Sequence, residues 1–187
     1  ALLWVNLTTR EHGILATGVR NSFDGVWVDE IGYLFTDNGQ DTMGEDFPDE
    51  EVNLLVDGAD YGWLVESPED PHPDGTEAPI ATWTPHTSVN GMTTKPANLP
   101  GGEHTVYATV FGSWATILPK GHQILKIDFT ETDDGWVGEV EVFASDVGTP
   151  LPITGGPDGN LYYATFDHGG AVHVISPQTF EGGFDWT

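Results

Sequence analysis

The chain has 187 residues, with 30 Asp or Glu against 5 Lys or Arg, and its formal net charge is −25 at pH 7. A surface this acidic repels nucleic acid and anionic membranes, so we expect neither as a partner. The lack of cysteine excludes disulfides, thiol nucleophiles and Cys-ligated metal sites, and no run of 18 apolar residues is present for membrane insertion.

The rest of the composition indicates a folded β protein. Apolar residues make up 38% of the chain, which is enough to offset the entropy of chain ordering. Short β-rich runs alternate with 24 Gly and 13 Pro, and apolar residues do not recur with helical spacing beyond a turn or two. Two explanations remain for the charge: solubility in a high-salt environment, which we favour, and binding of divalent cations by some of the carboxylates.

Three segments repeat one pattern along the chain. Each of residues 31–39, 104–114 and 159–170 is an aromatic-rich strand that ends in small or polar residues and Gly. After the last two, a further apolar strand follows at residues 123–129 and 171–175. Irregular repeats of this kind are typical of β-propeller blades, which are four-stranded antiparallel sheets.

The repeat count predicts about three to four blades, because a blade takes roughly 40 to 50 residues. An arc of so few blades would expose apolar faces and unpaired strand edges at its two ends. We therefore expect both ends to pair with further polypeptide, either from the rest of a longer chain or from another chain. A smaller, self-contained β fold is the alternative.

Five segments of the first third resemble a known family. They are Gly18-Val19-Arg20-Asn21, a strand pair at residues 26–35, Thr36-Asp37-Asn38-Gly39, Asp49-Glu50-Glu51-Val52-Asn53 and Asp60-Tyr61-Gly62-Trp63. These segments resemble the glucose/sorbosone dehydrogenase family, whose members are six-bladed β-propellers that bind pyrroloquinoline quinone and calcium. The resemblance implies an all-β fold in which residues 1–187 form one partial propeller domain, the C-terminal half of the family's domain.

The resemblance also implies that Arg20 and Asn21 contact the quinone, with Arg20 facing a carboxylate and Asn21 a ring oxygen. The chemistry is reasonable, because the quinone is a tricarboxylate and a guanidinium binds carboxylates through two parallel hydrogen bonds. A structural arginine that pairs with a loop carboxylate such as Asp24 is the alternative interpretation.

The acidic loop at residues 37–53 is the second candidate site. Calcium takes six to eight oxygen ligands and accepts main-chain carbonyls, so an irregular acidic loop suits it. The resemblance implies that the main-chain oxygens of Gly39 and Gln40 hold calcium together with the cofactor, and that Asn38 and Glu50 contact the quinone or the metal. The predicted metal ligands are Gly39, Gln40, Asp37, Asp41 and Glu50. A solvated acidic loop is the alternative.

Residues 110–114 are similar to a His-Gly-Ser-Trp turn of the family, with Phe111 in place of the histidine. Trp114 is predicted to form an aromatic wall of the cofactor site, or else to pack between blades. The basic residue that the family places after this Trp is absent, and Lys120 is a candidate substitute.

At Thr149 and Leu151 the chain departs from quinone-binding relatives, which carry arginines there. Cofactor carboxylates without cationic partners would be costly to bury. The family's general-base histidine lies in the half that this chain does not match, and none of the seven histidines has a similar context.

Two functions follow from these residues. The first is quinone-dependent oxidation of a sugar, in which this chain holds part of the cofactor and calcium site. The second is a catalytically inert propeller that serves as an interaction or carbohydrate-binding module. In either case we expect an extracellular or periplasmic protein.

Overall fold

The computed structural model describes residues 1–113, 120–167 and 169–177, and this part of the chain contains thirteen β-strands and no helix. The described residues therefore include no helix long and apolar enough to cross a membrane. The strands, in chain order, are β1 (Leu2–Val5), β2 (His12–Ala16), β3 (Ser22–Val28), β4 (Gly32–Asp37), β5 (Glu50–Leu54), β6 (Ala81–Trp83), β7 (Val89–Thr94), β8 (Thr105–Val110), β9 (Gln123–Thr132), β10 (Gly135–Ser145), β11 (Pro150–Gly155), β12 (Leu161–Thr165) and β13 (Ala171–Ile175).

The strands form four antiparallel sheets, each a simple meander. Blade A is β3-β4-β5-β6, blade B is β7-β8-β9-β10, and blade C is the three-stranded sheet β11-β12-β13; a hairpin of β1 and β2 precedes them. The predicted strand pair at residues 26–35 is the β3–β4 hairpin, in which Val26 pairs with Leu34. The predicted strands at residues 105–111 and 161–166 are β8 and β12. The all-β propeller architecture is thus confirmed.

The first strands of the three blades lie side by side, since β3 contacts β7 and β7 contacts β11. They are the inner strands of the arc. Each first strand is irregular near its start, with register shifts between Ser22 and Gly25, between Val89 and Met92, and between Pro150 and Ile153. A bulge of this kind sharpens the local twist of a strand, and here it recurs where the blades converge.

The core lies between the blades rather than inside any one of them. Leu34 of blade A packs in one cluster with Val106 and Leu125 of blade B, and all three side chains are fully buried. Between blades B and C, Tyr107 and Leu161 belong to a second buried cluster. Because apolar clusters cover both of its faces, all six residues of β8 are buried.

A buried threonine in the second strand links each full blade to the next. In blade A, Thr36 Oγ1 donates to Asn90 O at 2.9 Å. In blade B, Thr109 Oγ1 donates to Leu151 O at 2.7 Å and accepts from Gly91 N at 2.9 Å. Blade C has Ala164 at the matching register position. The hydroxyl therefore connects an inner-strand bulge to the neighbouring inner strand.

We expect Thr109→Val to lower the free energy of unfolding by about 1–3 kcal/mol, because Gly91 N–H and Leu151 O would stay buried without their partner. Thr109→Ser keeps the hydroxyl and should cost less. Thr130→Val, at an exposed position of β9, is the matched control and should change stability by less than about 0.5 kcal/mol. Denaturant unfolding measures all three; equal losses for Thr109→Val and Thr130→Val would contradict a linking role.

The outward faces at the two ends of the arc are apolar and exposed. On the hairpin, Leu3, Val5 and Ile14 are 70%, 59% and 63% exposed. On β13, Val172 and Val174 are 77% and 53% exposed. Contiguous apolar surface of this type marks a packing surface, so both ends have the character of blade faces that lack a neighbour.

Candidate functional site

One edge of the arc gathers most of the predicted site residues. In an antiparallel meander, the start of the first strand, the end of the second and the start of the third lie at the same edge. This edge, called the rim here, carries Arg20 and Asn21 before β3, the loop at residues 38–49 after β4, and Thr149 before β11. The fold thus brings together residues of blades A and C.

Asp37 fixes the backbone that leads into β3. Its carboxylate accepts hydrogen bonds from Arg20 N at 2.8 Å and from Asn21 N at 2.6 Å. Burial raises the pKa of Asp37 above its usual value, while these backbone bonds and the Arg20 charge act in the opposite direction. The side chain therefore orients the Arg20-Asn21 pair, and its oxygens point at N–H donors.

The Arg20 guanidinium contacts two main-chain oxygens and the carboxylate of an exposed aspartate. Nη1 donates to Asn38 O at 3.0 Å and also to Gly39 O, and Nη2 forms a salt bridge with Asp41 Oδ2 at 3.0 Å. The Arg20 side chain is 26% exposed and that of Asp41 is 58% exposed. The carboxylate partner is Asp41 rather than Asp24, whose Oδ2 accepts from Met92 N.

Asn38 lies beside this bridge and is almost fully buried. Its Nδ2 donates to Asn21 O and to Asn90 Oδ1, both at 3.2 Å. Its Oδ1 has no hydrogen-bond partner among the described residues. Asn90 was not predicted as a site residue, and no sequence pattern could have found it, because it reaches Asn38 only where blades A and B meet.

Glu50 joins the acidic loop to blade B. Oε1 accepts from Thr87 N at 2.9 Å and Ser88 N at 3.0 Å, and Oε2 accepts from Gly39 N at 3.2 Å. The side chain is 2% exposed. Burial raises the pKa of Glu50, and the three backbone bonds and nearby His86 lower it. His86 holds the same loop, through contact of its Nε2 with Gly44 O at 2.6 Å.

Glu51 projects to the other face of β5, towards a cavity of about 210 Å³ whose lining includes the acidic residues Asp46, Asp49 and Glu66. Burial raises the pKa of Glu51 to about 7, and the charges of Asp37, Glu66 and Asp49 act in the same direction, against a hydrogen bond from Asn53. Glu51 is thus partly protonated near neutral pH.

This pKa predicts that stability falls as pH rises. The folded-state pKa of Glu51 lies above the unfolded value of 4.5, so the folded protein binds the extra proton between about pH 4.5 and 7. The free energy of unfolding should therefore decrease across that window, by at most roughly 3 kcal/mol. Glu51→Gln should remove this part of the pH dependence, whereas Glu139→Gln, on the exposed side of β10, should leave it. If the free energy of unfolding depended on pH in the same way in Glu51→Gln and in the parent protein, the raised pKa of Glu51 would be refuted.

Cations are scarce on the rim. Besides Arg20, the described rim carries Lys120, whose Nζ lies 3.4 Å from Glu45 O. Thr149 donates through its backbone N, at 3.2 Å, and through its hydroxyl to Asp167. The main-chain oxygen of Leu151 accepts from Thr109. The two positions at which the resemblance places arginines thus carry a threonine bonded to Asp167 and a leucine.

Aromatic side chains occupy the rim between blades B and C. Phe111, which stands where the family has histidine, lies with its ring centroid 6.1 Å from that of Phe166. Phe166 is 68% exposed. Trp114 lies outside the described residues, so its predicted contact with a cofactor stays a prediction.

The predicted calcium ligands do not fit a calcium ion as they are arranged. The oxygens of Asn38 and Gly39 receive the Arg20 guanidinium, and the carboxylates of Asp37 and Glu50 receive backbone N–H groups. The contact of Gln40 with Thr42 Oγ1, at 2.8 Å, is made by its side-chain Nε2 and does not involve the main-chain oxygen that was the predicted ligand. Within the described residues, no three His, Cys, Asp or Glu side chains are grouped as a metal site.

No protein-family model matches the chain. An uncharacterized protein of Borreliella burgdorferi is 27% identical over an alignment of 201 positions, which covers 93% of this chain and 51% of that relative. The chain thus spans about half the length of the curated relative that it matches.

Solved structures share its fold. A glucose dehydrogenase superposes with a TM-score of 0.68 at 22% identity, covering 94% of this chain and 49% of that one. The soluble aldose sugar dehydrogenase of Escherichia coli, in its apo form, gives a TM-score of 0.68 at 19% identity over 88% of this chain and 47% of the enzyme. The aldose sugar dehydrogenase of Streptomyces coelicolor, in its form bound to pyrroloquinoline quinone (PQQ), gives a TM-score of 0.62 at 19% identity. The superposition covers 86% of this chain and 44% of that enzyme. The chain therefore has the β-propeller fold of sugar dehydrogenases over about half of their length.

Proposed function

We propose that this chain forms part of a propeller that oxidises a sugar with pyrroloquinoline quinone, and that its rim holds one side of the quinone. The observation that carries the proposal is the Arg20 guanidinium. It is anchored on Asn38 O and Gly39 O, and its carboxylate partner Asp41 lies on an exposed loop. A ligand carboxylate can take the place of Asp41, because a solvent-exposed ion pair is held weakly.

Each rim residue has a binding role in this proposal. Arg20 pairs with a ligand carboxylate through the Nη2 donor that Asp41 releases and the two of its five N–H donors that its other contacts leave over. Asn38 offers its unpartnered Oδ1 to a donor of the ligand. Lys120 supplies the second positive charge. The quinone, when bound, supplies the oxidant that accepts hydride from the sugar carbon, and the base for the sugar hydroxyl comes from blades outside this chain.

The proposal includes completion of the ring by further polypeptide. The exposed faces around Leu3 and Val174 are the surfaces on which neighbouring blades would pack. Hydrogen exchange of the 187-residue chain alone and within a longer natural polypeptide that contains it tests this. We expect protection of β1, β2 and β13 to increase sharply in the longer protein; a fully protected, monomeric short chain would contradict it.

Titration of the quinone into the completed propeller tests the function itself. We expect saturable binding, followed by absorbance, and reduction of a dye that depends on both quinone and sugar. Binding without sugar-dependent reduction would leave a quinone-binding protein of another kind. Failure to bind would refute the proposal.

The second candidate is an inert interaction or carbohydrate-binding module, exported into a saline environment. It is favoured by the contacts of Thr149 and Leu151, which provide no cation at positions where quinone carboxylates would need one. Sugar binding that is unaffected by the quinone, measured by saturation-transfer NMR, would select this function.

A further inference from the structure

The loop at residues 38–41 is organised around a positive charge that belongs to the chain itself. The carbonyls of Asn38 and Gly39 converge on Nη1 of Arg20, and the Asp41 carboxylate lies on Nη2. Oxygens that converge in this way usually surround a metal ion. Here they surround a guanidinium, whose planar fork donates several hydrogen bonds at once.

A calcium ion cannot share these oxygens with Arg20. Calcium lies about 2.3–2.6 Å from its oxygen ligands, and a guanidinium nitrogen already lies 3.0 Å from Asn38 O. Both groups would occupy the same space, and their like charges repel. Two of the predicted carboxylate ligands, Asp37 and Glu50, already accept backbone N–H groups.

Arg20 is held in place from its own backbone. Asp37 accepts the N–H of Arg20, and Asp37 is buried at the end of β4, directly before the carbonyls that the side chain contacts. The backbone N–H and the guanidinium of Arg20 thus both bind the end of β4 and hold it next to the start of β3. A guanidinium keeps its charge at every accessible pH.

We infer that Arg20 is the resident cation of this site, and that it fills the structural place for which the sequence predicts calcium. The loop at residues 38–41 is therefore assembled without a metal ion. This inference goes beyond the proposed function, and because it concerns the free protein it stands or falls independently of quinone binding.

Selective labelling can observe the relevant carbonyl directly. Protein made with ¹³C-carbonyl Asn and ¹⁵N Gly gives signals only from Asn-Gly peptide bonds, which in this chain are Asn38-Gly39 and Asn90-Gly91. The second pair is an internal control on the neighbouring inner strand. Ca²⁺ is added to about 10 mM, above the dissociation constants of weak protein sites, and Mg²⁺ is added to a matched sample.

We expect the Asn38-Gly39 signal of the parent protein to respond equally to the two ions, and that of Arg20→Ala to shift with Ca²⁺ alone as the carbonyls become accessible. Asp41→Asn keeps the guanidinium on the carbonyls and should behave as the parent, which keeps the test decisive if Arg20→Ala fails to fold. A saturable, Ca²⁺-specific shift of the Asn38-Gly39 signal in the parent protein would overturn the inference, whether or not the signal of Asn90-Gly91, whose Asn90 contacts Asn38, also moves.

Discussion

Replacing Glu50 by alanine is expected to lower the free energy of unfolding by about 3–5 kcal/mol, the largest stability loss for any rim residue. The carboxylate accepts from the backbone N–H groups of Gly39, Thr87 and Ser88. Without it, three buried donors lose their partner, at a cost of about 1–3 kcal/mol each, offset in part by removal of a buried charge. Chemical denaturation of the completed propeller measures the change.

Two companion variants separate hydrogen bonding from charge. Glu50→Gln keeps one acceptor oxygen and removes the charge that burial disfavours, so we expect a loss of about 1–2 kcal/mol. Glu139→Ala, an exposed glutamate of β10, should change stability by less than about 0.5 kcal/mol. If Glu50→Ala lowered the free energy of unfolding as little as Glu139→Ala, the hydrogen bonds of Glu50 would not stabilise the fold.

The blades could be predicted because their signals are local. The alternation around Val26 and Leu34, and the Gly- and Pro-rich segments between apolar runs, depend on neighbours within one hairpin. The same holds for β8 and β12. Strand pairing within a meander follows from chain order, so the repeat count alone predicted the number of blades.

The site was predictable only in part, because its contacts cross blades. The resemblance pointed to Arg20, Asn38 and Glu50, and the fold places all three on the rim. Their partners depend on how two sheets meet: Asn90 lies 52 residues from Asn38 in sequence, and Thr87 lies 37 residues from Glu50. No periodicity encodes such a distance.

The direction of the Arg20 side chain was equally beyond the sequence. A guanidinium can pair with a ligand carboxylate, a loop carboxylate or main-chain oxygens, and the residues next to Arg20 in sequence do not decide between them. Only the geometry of the β4 end, where Asn38 O and Gly39 O converge, makes the main-chain oxygens the anchor. The calcium expectation included two of the groups that Arg20 contacts, Gly39 O and the Asp41 carboxylate, which is why one side chain changes the interpretation of the loop.

Replacing Arg20 by alanine is expected to weaken quinone binding by about one to two orders of magnitude. The variant removes a charge-assisted hydrogen bond worth about 1.5–3 kcal/mol, and neither Thr149 nor Leu151 supplies a cation in its place. Arg20→Lys keeps the charge but loses the fork, so we expect an intermediate affinity. Arg10→Ala, which changes the chain's other arginine in the β1–β2 connection, should bind as the parent protein does.

Asp41 distinguishes direct contact from loss of loop structure. If Arg20 pairs with the ligand itself, Asp41 competes with the ligand for Nη2, and Asp41→Ala should strengthen quinone binding while Arg20→Ala weakens it. If Arg20 only supports the loop, both variants should weaken binding and both should lower the melting temperature. Absorbance titration and thermal unfolding of the parent protein and of the Arg20→Ala, Asp41→Ala and Arg10→Ala variants distinguish the two cases. Equal affinities for Arg20→Ala and Arg10→Ala would place the quinone away from this rim, because no other described residue there offers a guanidinium.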